Sequence, residues 1–114
     1  CLTDLEDTSR YEERRWGTIK TIDEDEDDGI KSTTKRIKVV AGKTVPMHKY
    51  ENSTETITVL SGMGKLILEG IEVDLTAGST VSVAAGKAYS IKALGSDLRC
   101  IVIHIGEDTE VAVG

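Results

Sequence analysis

Apolar and polar residues alternate in short runs along most of this chain, and glycine-containing turns separate the runs. In Ile71–Leu75 and Tyr89–Lys92 every second residue is apolar, a period typical of strands with one buried face. Turns recur every ~8–12 residues and no segment shows a convincing helical period, which favours a sandwich or barrel. The predicted strands are 18–22, 32–40, 56–61, 65–68, 71–75, 79–83, 89–92 and 98–105.

The strand pattern divides the 114 residues into one domain with two flanking segments. Residues 1–13 are polar and charged without a sustained period, so we expect an N-terminal arm or linker. The strands fill residues 14–106, and residues 107–114 are a tail that is acidic and then small. We therefore predict a single all-β domain at 14–106.

Composition and charge favour a β-rich core and exclude one class of partner. Phe is absent, so Val, Ile and Leu must fill the core, and these residues favour strands. The net charge of −6 argues against nucleic acid as a partner, because a basic patch is expected on such a surface. Six acids form one run, Asp23–Asp28. Like charges repel and stay solvated, and the run lacks the spacing of a calcium loop, so we expect an exposed hairpin loop.

The two cysteines, Cys1 and Cys100, lie at opposite ends of the chain. Cys100 falls in an apolar run, which predicts a buried thiol, and no disulfide framework is indicated, as in a reducing compartment. No apolar run approaches the ~18 residues of a spanning helix, so we expect no membrane partner and a cytoplasmic location. Because Cys1 stands where a starting Met is usual, we expect a piece of a longer chain or a processed form.

The rarest side chains concentrate in one stretch, residues 42–62. It holds the only proline, one of the two histidines, His48, and a carboxylate seven positions later, Glu55. His48 and Tyr50 are two residues apart in an extended segment, so their side chains face the same way. We expect the surrounding apolar strands to position these three side chains.

This stretch resembles the first motif of the cupin family, which runs Gly, five residues, His, one residue, His, three or four residues, Glu, six residues, Gly. Gly42, His48, Glu55 and Gly62 fall on that pattern, and Tyr50 replaces the second histidine. The resemblance implies a double-stranded β-helix, which is a jelly-roll barrel, with the glutamate pointing inward.

The second cupin motif is Gly, five residues, Pro, one residue, Gly, two residues, His, three residues, Asn. Gly78 and Gly86 match it, whereas Ala84, Tyr89 and Ala93 replace the Pro, His and Asn. By this resemblance Tyr89 would face the first motif inside the barrel. The resemblance covers roughly residues 14 to 106.

Within cupins, the chain looks most like the mannose-6-phosphate isomerase domain that often follows a mannose-1-phosphate guanylyltransferase. That domain tends to begin Arg-Pro-Trp-Gly, and Arg14–Gly17 is similar, with Arg15 in place of the Pro. Lys35–Ile37 is similar to its Lys-Arg-Ile strand. This resemblance implies a role in carbohydrate or nucleotide-sugar metabolism. From the residues alone, Trp16 is expected to plug one end of the core.

A cupin with His, His, Glu and His binds a divalent metal, and such a site needs at least three good protein ligands. Only His48 and Glu55 remain here. A tyrosine phenol has a pKa of about 10 and is a poor ligand at pH 7. We therefore expect no cofactor, and the alternative is a zinc, manganese or iron-class ion on His48 and Glu55.

A metal-free pocket of His48, Glu55, Tyr50 and Tyr89 suits hydrogen bonding to sugar hydroxyls. The alternative is that both tyrosines only fill the space of a metal and its water, with His48 and Glu55 bonded to each other. His104 is a further pocket candidate. The face it occupies cannot be assigned from one strand, and we expect an exposed histidine.

Three functions remain open from these observations. The first is a cupin module that binds a small sugar or sugar phosphate at an eroded metal site. The second is a metal-dependent mannose-6-phosphate isomerase, with His48 or Glu55 as the catalytic base. The third is a non-catalytic dimerisation module, since cupins commonly pair through sheet faces or exchanged N-terminal strands, and we expect a homodimer.

Overall fold

The structure, a computed structural model, describes residues 10–113. The first nine residues of the predicted arm, which include Cys1, lie outside the described residues. Every regular element in this range is a strand, and no helix in it could cross a membrane. The strands are β1 Arg10–Arg14, β2 Gly17–Asp27, β3 Ile30–Val39, β4 Thr44–Tyr50, β5 Ser53–Ser61, β6 Met63–Leu68, β7 Ile71–Thr76, β8 Thr80–Val83, β9 Tyr89–Ala93, β10 Leu98–Gly106 and β11 Glu110–Ala112.

The strands form two antiparallel sheets that face each other. One has the order β1-β2-β3-β10-β5-β8 and the other the order β11-β4-β9-β6-β7. Strands far apart in sequence are neighbours, such as β4 with β9 and β5 with β10, because the chain crosses repeatedly between the sheets. This is the jelly-roll arrangement of a double-stranded β-helix, and it confirms the predicted all-β fold.

The core lies between the sheets and takes every second residue of the longer strands. In β10, Leu98, Cys100 and Val102 are buried while Arg99 between them is exposed. Cys100 is a fully buried free thiol, as predicted. Trp16 packs into the same core with 7% of its surface exposed. Burial of these side chains is the main stabilising term of the fold.

Two glycines of the first motif have positive φ for different reasons. Gly62 has φ +89°, and a Cβ there would lie 2.1 Å from the backbone oxygen of Asp97. Gly42 has φ +78°, but the space around it is open. Gly62 therefore permits a close approach of two backbone segments, whereas Gly42 only permits the turn.

The acidic run is not the loop that the sequence predicts. Strand β2 continues through it to Asp27, and only Asp28 and Gly29 make the hairpin turn, with φ of 54° and 80°. Positive φ at both central residues is typical of the tight turn that joins two antiparallel strands. The acids beyond Ile22 are exposed, and neighbouring acids alternate between the two faces, so water screens their repulsion.

Strand pairing extends beyond residues 14–106 on both sides. Strand β1 starts at Arg10, within the segment predicted as an arm, and pairs along its length with β2. Strand β11 lies in the predicted tail and pairs with β4. Both are edge strands with every residue exposed, so neither carries the apolar alternation by which the other strands were predicted.

Candidate functional site

The five side chains predicted for the pocket converge inside the barrel, and none is more than 6% exposed. They come from both sheets as two cross-strand pairs, with His48 opposite Tyr89 and His104 opposite Glu55. Tyr50 completes the set, with its ring centroid 4.5 Å from that of His104. The inward direction of His48 and Tyr50 is therefore as predicted from their spacing.

The position of His104 is a correction, because the sequence favoured an exposed histidine. Its side chain is 1% exposed and lies on the same face of β10 as the buried Cys100 and Val102. Since alternate strand residues share a face, the predicted burial of Cys100 was a signal that also applied to His104. The apolar residues between them, Ile101 and Ile103, obscured this signal.

The ring of His48 is oriented by its own strand. Its Nδ1 lies 2.8 Å from the backbone oxygen of Pro46, and a carbonyl can only accept, so Nδ1 donates. In the neutral ring, Nε2 is then the acceptor. The ring also packs against Tyr89, with centroids 4.4 Å apart. His48 thus offers a fixed acceptor rather than a freely rotating ring.

Glu55 is bonded to Tyr89, not to His48 as one interpretation of the sequence had it. The Tyr89 hydroxyl donates to Oε2 of Glu55. Burial raises the pKa of Glu55 to about 7, although the hydrogen bond from Tyr89 and the charge of Lys35 oppose this rise. Burial, followed by the charge of Glu55, raises the pKa of Tyr89. Glu55 therefore changes protonation close to neutral pH, and Tyr89 remains a donor.

His104 is the least satisfied group of the cluster. Its Nδ1 is buried without a hydrogen-bond partner and lies 3.9 Å from Oε2 of Glu55. Burial, together with the charge of Lys35, lowers the pKa of His104 to about 4. A neutral imidazole nitrogen with no partner costs free energy unless water or a ligand supplies one.

The cavity enclosed by these groups is small. It has about 30 Å³ of water-accessible volume, enough for one or two water molecules. The polar side chains of the cluster, called the polar floor below, form part of its lining. The apolar part of the lining consists of Trp16, Ile19, Ile37, Val45, Ile91 and Val102.

A second cavity, the outer cavity, adjoins the first and is lined in part by exposed residues, with about 190 Å³ of water-accessible volume. The two share walls at Trp16, Val45, His48 and Glu110. Arg14, Pro46, Met47 and Ala112 complete the outer cavity. His48 thus contributes to the lining of both cavities.

Charged residues surround the cluster, and two of them, Glu110 and Asp108, were not predicted from the sequence. The Tyr50 hydroxyl donates to Glu110 over 3.3 Å, and Arg14 lies 3.8 Å from the same carboxylate. Burial, then the charge of Glu110, raises the pKa of Tyr50. Lys35 lines the inner cavity 3.5 Å from Asp108. Lys35 points inward because it lies two residues from the buried Ile37 on the same strand. The two acids, Asp108 and Glu110, lie in the predicted tail, where no alternation of apolar and polar residues indicated their positions.

The donors present do not fit a tightly held metal. Between residues 10 and 113, no three His, Cys, Asp or Glu side chains are grouped to hold an ion. One oxygen of Glu55 already accepts from Tyr89.

Comparison with protein families gives one match that covers most of the barrel. The profile of the cupin domain matches residues 35–106, which include both motif stretches. Among curated protein sequences, no relative matches significantly.

Solved structures with this fold are numerous, and they show the fold alone because their sequences are distant. KdgF from a Halomonas species has a TM-score of 0.76 at 17% identity over 86% of each chain. A Klebsiella pneumoniae protein with a double-stranded β-helix domain has a TM-score of 0.75 at 18% identity, over 90% of this chain and 89% of its own. Oxalate decarboxylase from Bacillus subtilis, which has Mn(II) centres, has a TM-score of 0.73 at 14% identity; 90% of this chain matches 28% of that one.

Proposed function

The chain belongs to the cupin domain family, and we propose that its barrel binds a small neutral sugar without a metal. The observation that carries this proposal is the pair of adjoining cavities with a polar floor. The floor offers two phenols, an imidazole acceptor and a carboxyl, and one buried nitrogen on it lacks a partner. Such a set, together with the apolar part of the lining, is suited to a molecule that carries hydroxyls.

The size of the cavities sets how such a ligand would enter. The inner cavity holds only a water or two, so a sugar ring would lie in the outer cavity. One or two of its hydroxyls would reach past His48 and displace that water. Nε2 of His48 would accept from one hydroxyl, and His104 would gain the partner it lacks.

The charges around the site favour a neutral sugar over a sugar phosphate. Each cation there already has a carboxylate beside it, Glu12 and Glu110 for Arg14 and Asp108 for Lys35. A phosphate dianion would have to displace one of these acids or lie beside it. Like charges disfavour that arrangement, so we expect the phosphate ester to bind more weakly than the sugar.

Isothermal titration calorimetry with hexoses, their 6-phosphates and a nucleotide sugar tests the proposal. We expect binding of at least one neutral sugar. In Tyr89→Phe, which removes one donor from the polar floor, we expect the affinity for that sugar to fall roughly tenfold. Glu72→Gln, at an exposed position of strand β7, is the matched control and should bind as the wild type does. An absence of heat with every neutral sugar would refute the proposal.

One observation favours a second function, the isomerisation of aldose and ketose phosphates such as mannose 6-phosphate. Glu55 has a pKa of about 7, which is suited to a group that takes a proton from carbon and returns it. Tyr89 and His104 lie beside the same carboxyl and could polarise the substrate oxygen. Conversion of mannose 6-phosphate to fructose 6-phosphate by the wild type, and its loss in Glu55→Gln, would establish this activity. No conversion by the wild type would exclude it.

A further inference from the structure

The outer surface of the six-stranded sheet, on the side away from the core, carries a group of cations. Strand register places Arg36 beside Lys20 in one row and Arg99 beside Lys38 in the next. Ile37, between the two cations of β3, is buried, so the side chains before and after it point outward. We call Lys20, Arg36, Lys38 and Arg99 the basic cluster.

The basic cluster borders a surface cavity. This cavity has about 140 Å³ of water-accessible volume and is lined by the basic cluster together with Tyr11, Thr18 and Ile37. One water needs roughly 10–15 Å³ on this scale, so a tetrahedral oxyanion of five heavy atoms needs roughly 50–75 Å³ and fits. The hydroxyl of Thr18 adds a neutral hydrogen-bond donor to the cations.

Three cations of the cluster have no acid paired with them. In the part of the chain that the structure describes, Arg36, Lys38 and Arg99 take part in no ion pair. By contrast, Lys35 and Lys65 lie 3.5 and 2.9 Å from an aspartate oxygen. Acids outnumber bases by 20 to 14 in this chain, so composition alone does not account for a group of cations without acids.

The spacing of the cluster allows one anion to contact several of its members. Neighbouring strands lie ~4.8 Å apart and successive rows ~7 Å apart, so roughly 8 Å separates the Cβ atoms of Arg36 and Arg99. Two arginine side chains that extend from these points can reach one group between them. Cations this close repel each other, and a bound anion would offset that repulsion.

We propose that the basic cluster binds an oxyanion of the phosphate or sulfate class, either free or carried by an ester. Arginine is suited to such a group, because its planar fork donates two hydrogen bonds to two of the oxygens. Arg36 and Arg99 bind the anion from two strands, and the ammonium of Lys38 adds a point charge. This site lies on the opposite face of the sheet from the inner cavity, and only Ile37 lines both.

The acids around the cluster favour a small anion over a long polyanion. Asp23 and Asp25 follow Lys20 on the same face of β2, and Glu13 lies beside Thr18 on β1. A nucleic acid or an acidic polysaccharide would extend past the cluster over these carboxylates, and like charges disfavour that arrangement. A single phosphate or sulfate group confined to the cavity avoids them.

Tyr11 distinguishes the two sources of such an anion. Its side chain is 67% exposed and lines the cavity, and its ring centroid lies 5.9 Å from Nζ of Lys20. An exposed ring beside a bound phosphate offers a surface on which the base of a nucleotide can stack. A free anion would gain nothing from this ring.

Isothermal titration calorimetry of the whole chain at low ionic strength, with inorganic pyrophosphate as the probe, tests the proposal. We expect a dissociation constant below ~1 mM that rises as salt screens the cations. Arg36→Gln and Arg99→Gln should each raise this constant at least ~10-fold. Arg99→Lys keeps the charge but loses the fork, so it should retain only part of the affinity.

Lys92→Gln is the matched control, since it removes one exposed cation from the other sheet, and it should bind pyrophosphate as the wild type does. Tyr89→Phe should also bind pyrophosphate normally, which separates this site from the barrel. A second titration with adenosine diphosphate identifies the source of the anion. If Tyr11→Ala weakens only the binding of adenosine diphosphate, the result supports an ester, whereas unchanged binding of both probes supports a free anion.

An absence of heat with pyrophosphate at up to ~10 mM would overturn the proposal. So would binding that Arg36→Gln and Arg99→Gln leave unchanged. Tighter binding of a duplex DNA fragment than of pyrophosphate, at equal phosphate concentration, would replace the small anion by a polyanion and overturn it as well. Thermal melts of each variant would show that these surface substitutions leave the fold intact.

Discussion

Replacing Glu55 by Gln should make the protein less sensitive to alkaline pH, because this buried carboxyl favours its protonated form in the fold. The pKa of Glu55 rises from 4.5 to about 7 on folding, chiefly because the side chain is buried, with 2% of its residue surface exposed. The folded state therefore binds this proton more tightly than the unfolded state does. Its stabilising effect is complete below pH 4.5 and is lost as the pH rises through 7.

The size of the effect follows from the same two values. A difference of about 2.5 pH units at about 1.4 kcal/mol per unit gives about 3 kcal/mol between pH 4 and pH 8. Glutamine has nearly the shape of the protonated acid, and its oxygen can still accept from Tyr89. Relative to the wild type, Glu55→Gln should therefore gain up to ~3 kcal/mol of unfolding free energy across this range.

Urea unfolding at half-unit intervals from pH 4 to pH 8 measures this gain as a difference between the two proteins. Taking the difference cancels the titration of all other groups that the two chains share. Glu72→Gln, at an exposed position of strand β7, shows how much the loss of any one carboxylate alters the same curve. A Glu55→Gln difference that stays flat with pH would refute both the raised pKa and the proton-transfer role derived from it.

Two further predictions concern neighbouring features. The pH dependence from His104 has the opposite sign, because its pKa falls from 6.5 to about 4 on folding, so its stabilising effect is complete above pH 6.5 and is lost on acidification. In the same assay, His104→Gln should gain about 3 kcal/mol of unfolding free energy relative to the wild type between pH 6.5 and pH 4. A variant as sensitive to acid as the wild type would contradict this. Gly62→Ala should lower the free energy of unfolding by more than ~3 kcal/mol, because its Cβ would meet the Asp97 oxygen at 2.1 Å. Gly42→Ala should lower it by only ~1–2 kcal/mol, through backbone strain alone. Equal losses on urea unfolding would show that the close approach does not matter.

The fold was predictable because its strands obey a local rule. Val, Ile and Leu alternate with polar residues wherever a strand has one side in the core, as in Ile71–Leu75, and glycines mark the turns. The rule fails where a strand has no buried side. The acids of β2 are all exposed, and sequence alone favoured a solvated loop because it could not show that β3 pairs with them.

The site was predictable only in part, for a related reason. Spacing placed His48 and Tyr50 on one face, and the motif resemblance placed Glu55 and Tyr89 near them. The hydrogen bond between Glu55 and Tyr89 depends on two strands 34 residues apart, from different sheets, so no local pattern specifies it. Glu110 reaches Tyr50 from an exposed edge strand that carries no periodic signal at all.

The flanking strands bear on how such a barrel could change during evolution. The cupin profile matches residues 35–106, yet Trp16 just before β2, Ile19 on β2 and Glu110 on β11 line the cavities. Part of the cavity lining is thus encoded outside the strands that the profile matches. Insertions, deletions or replacement of the flanks could alter the entrance while the motif strands continue to specify the barrel. A recombinant protein trimmed to the profile boundaries would lack that part of the lining, and its ligand preference would not represent that of the longer chain.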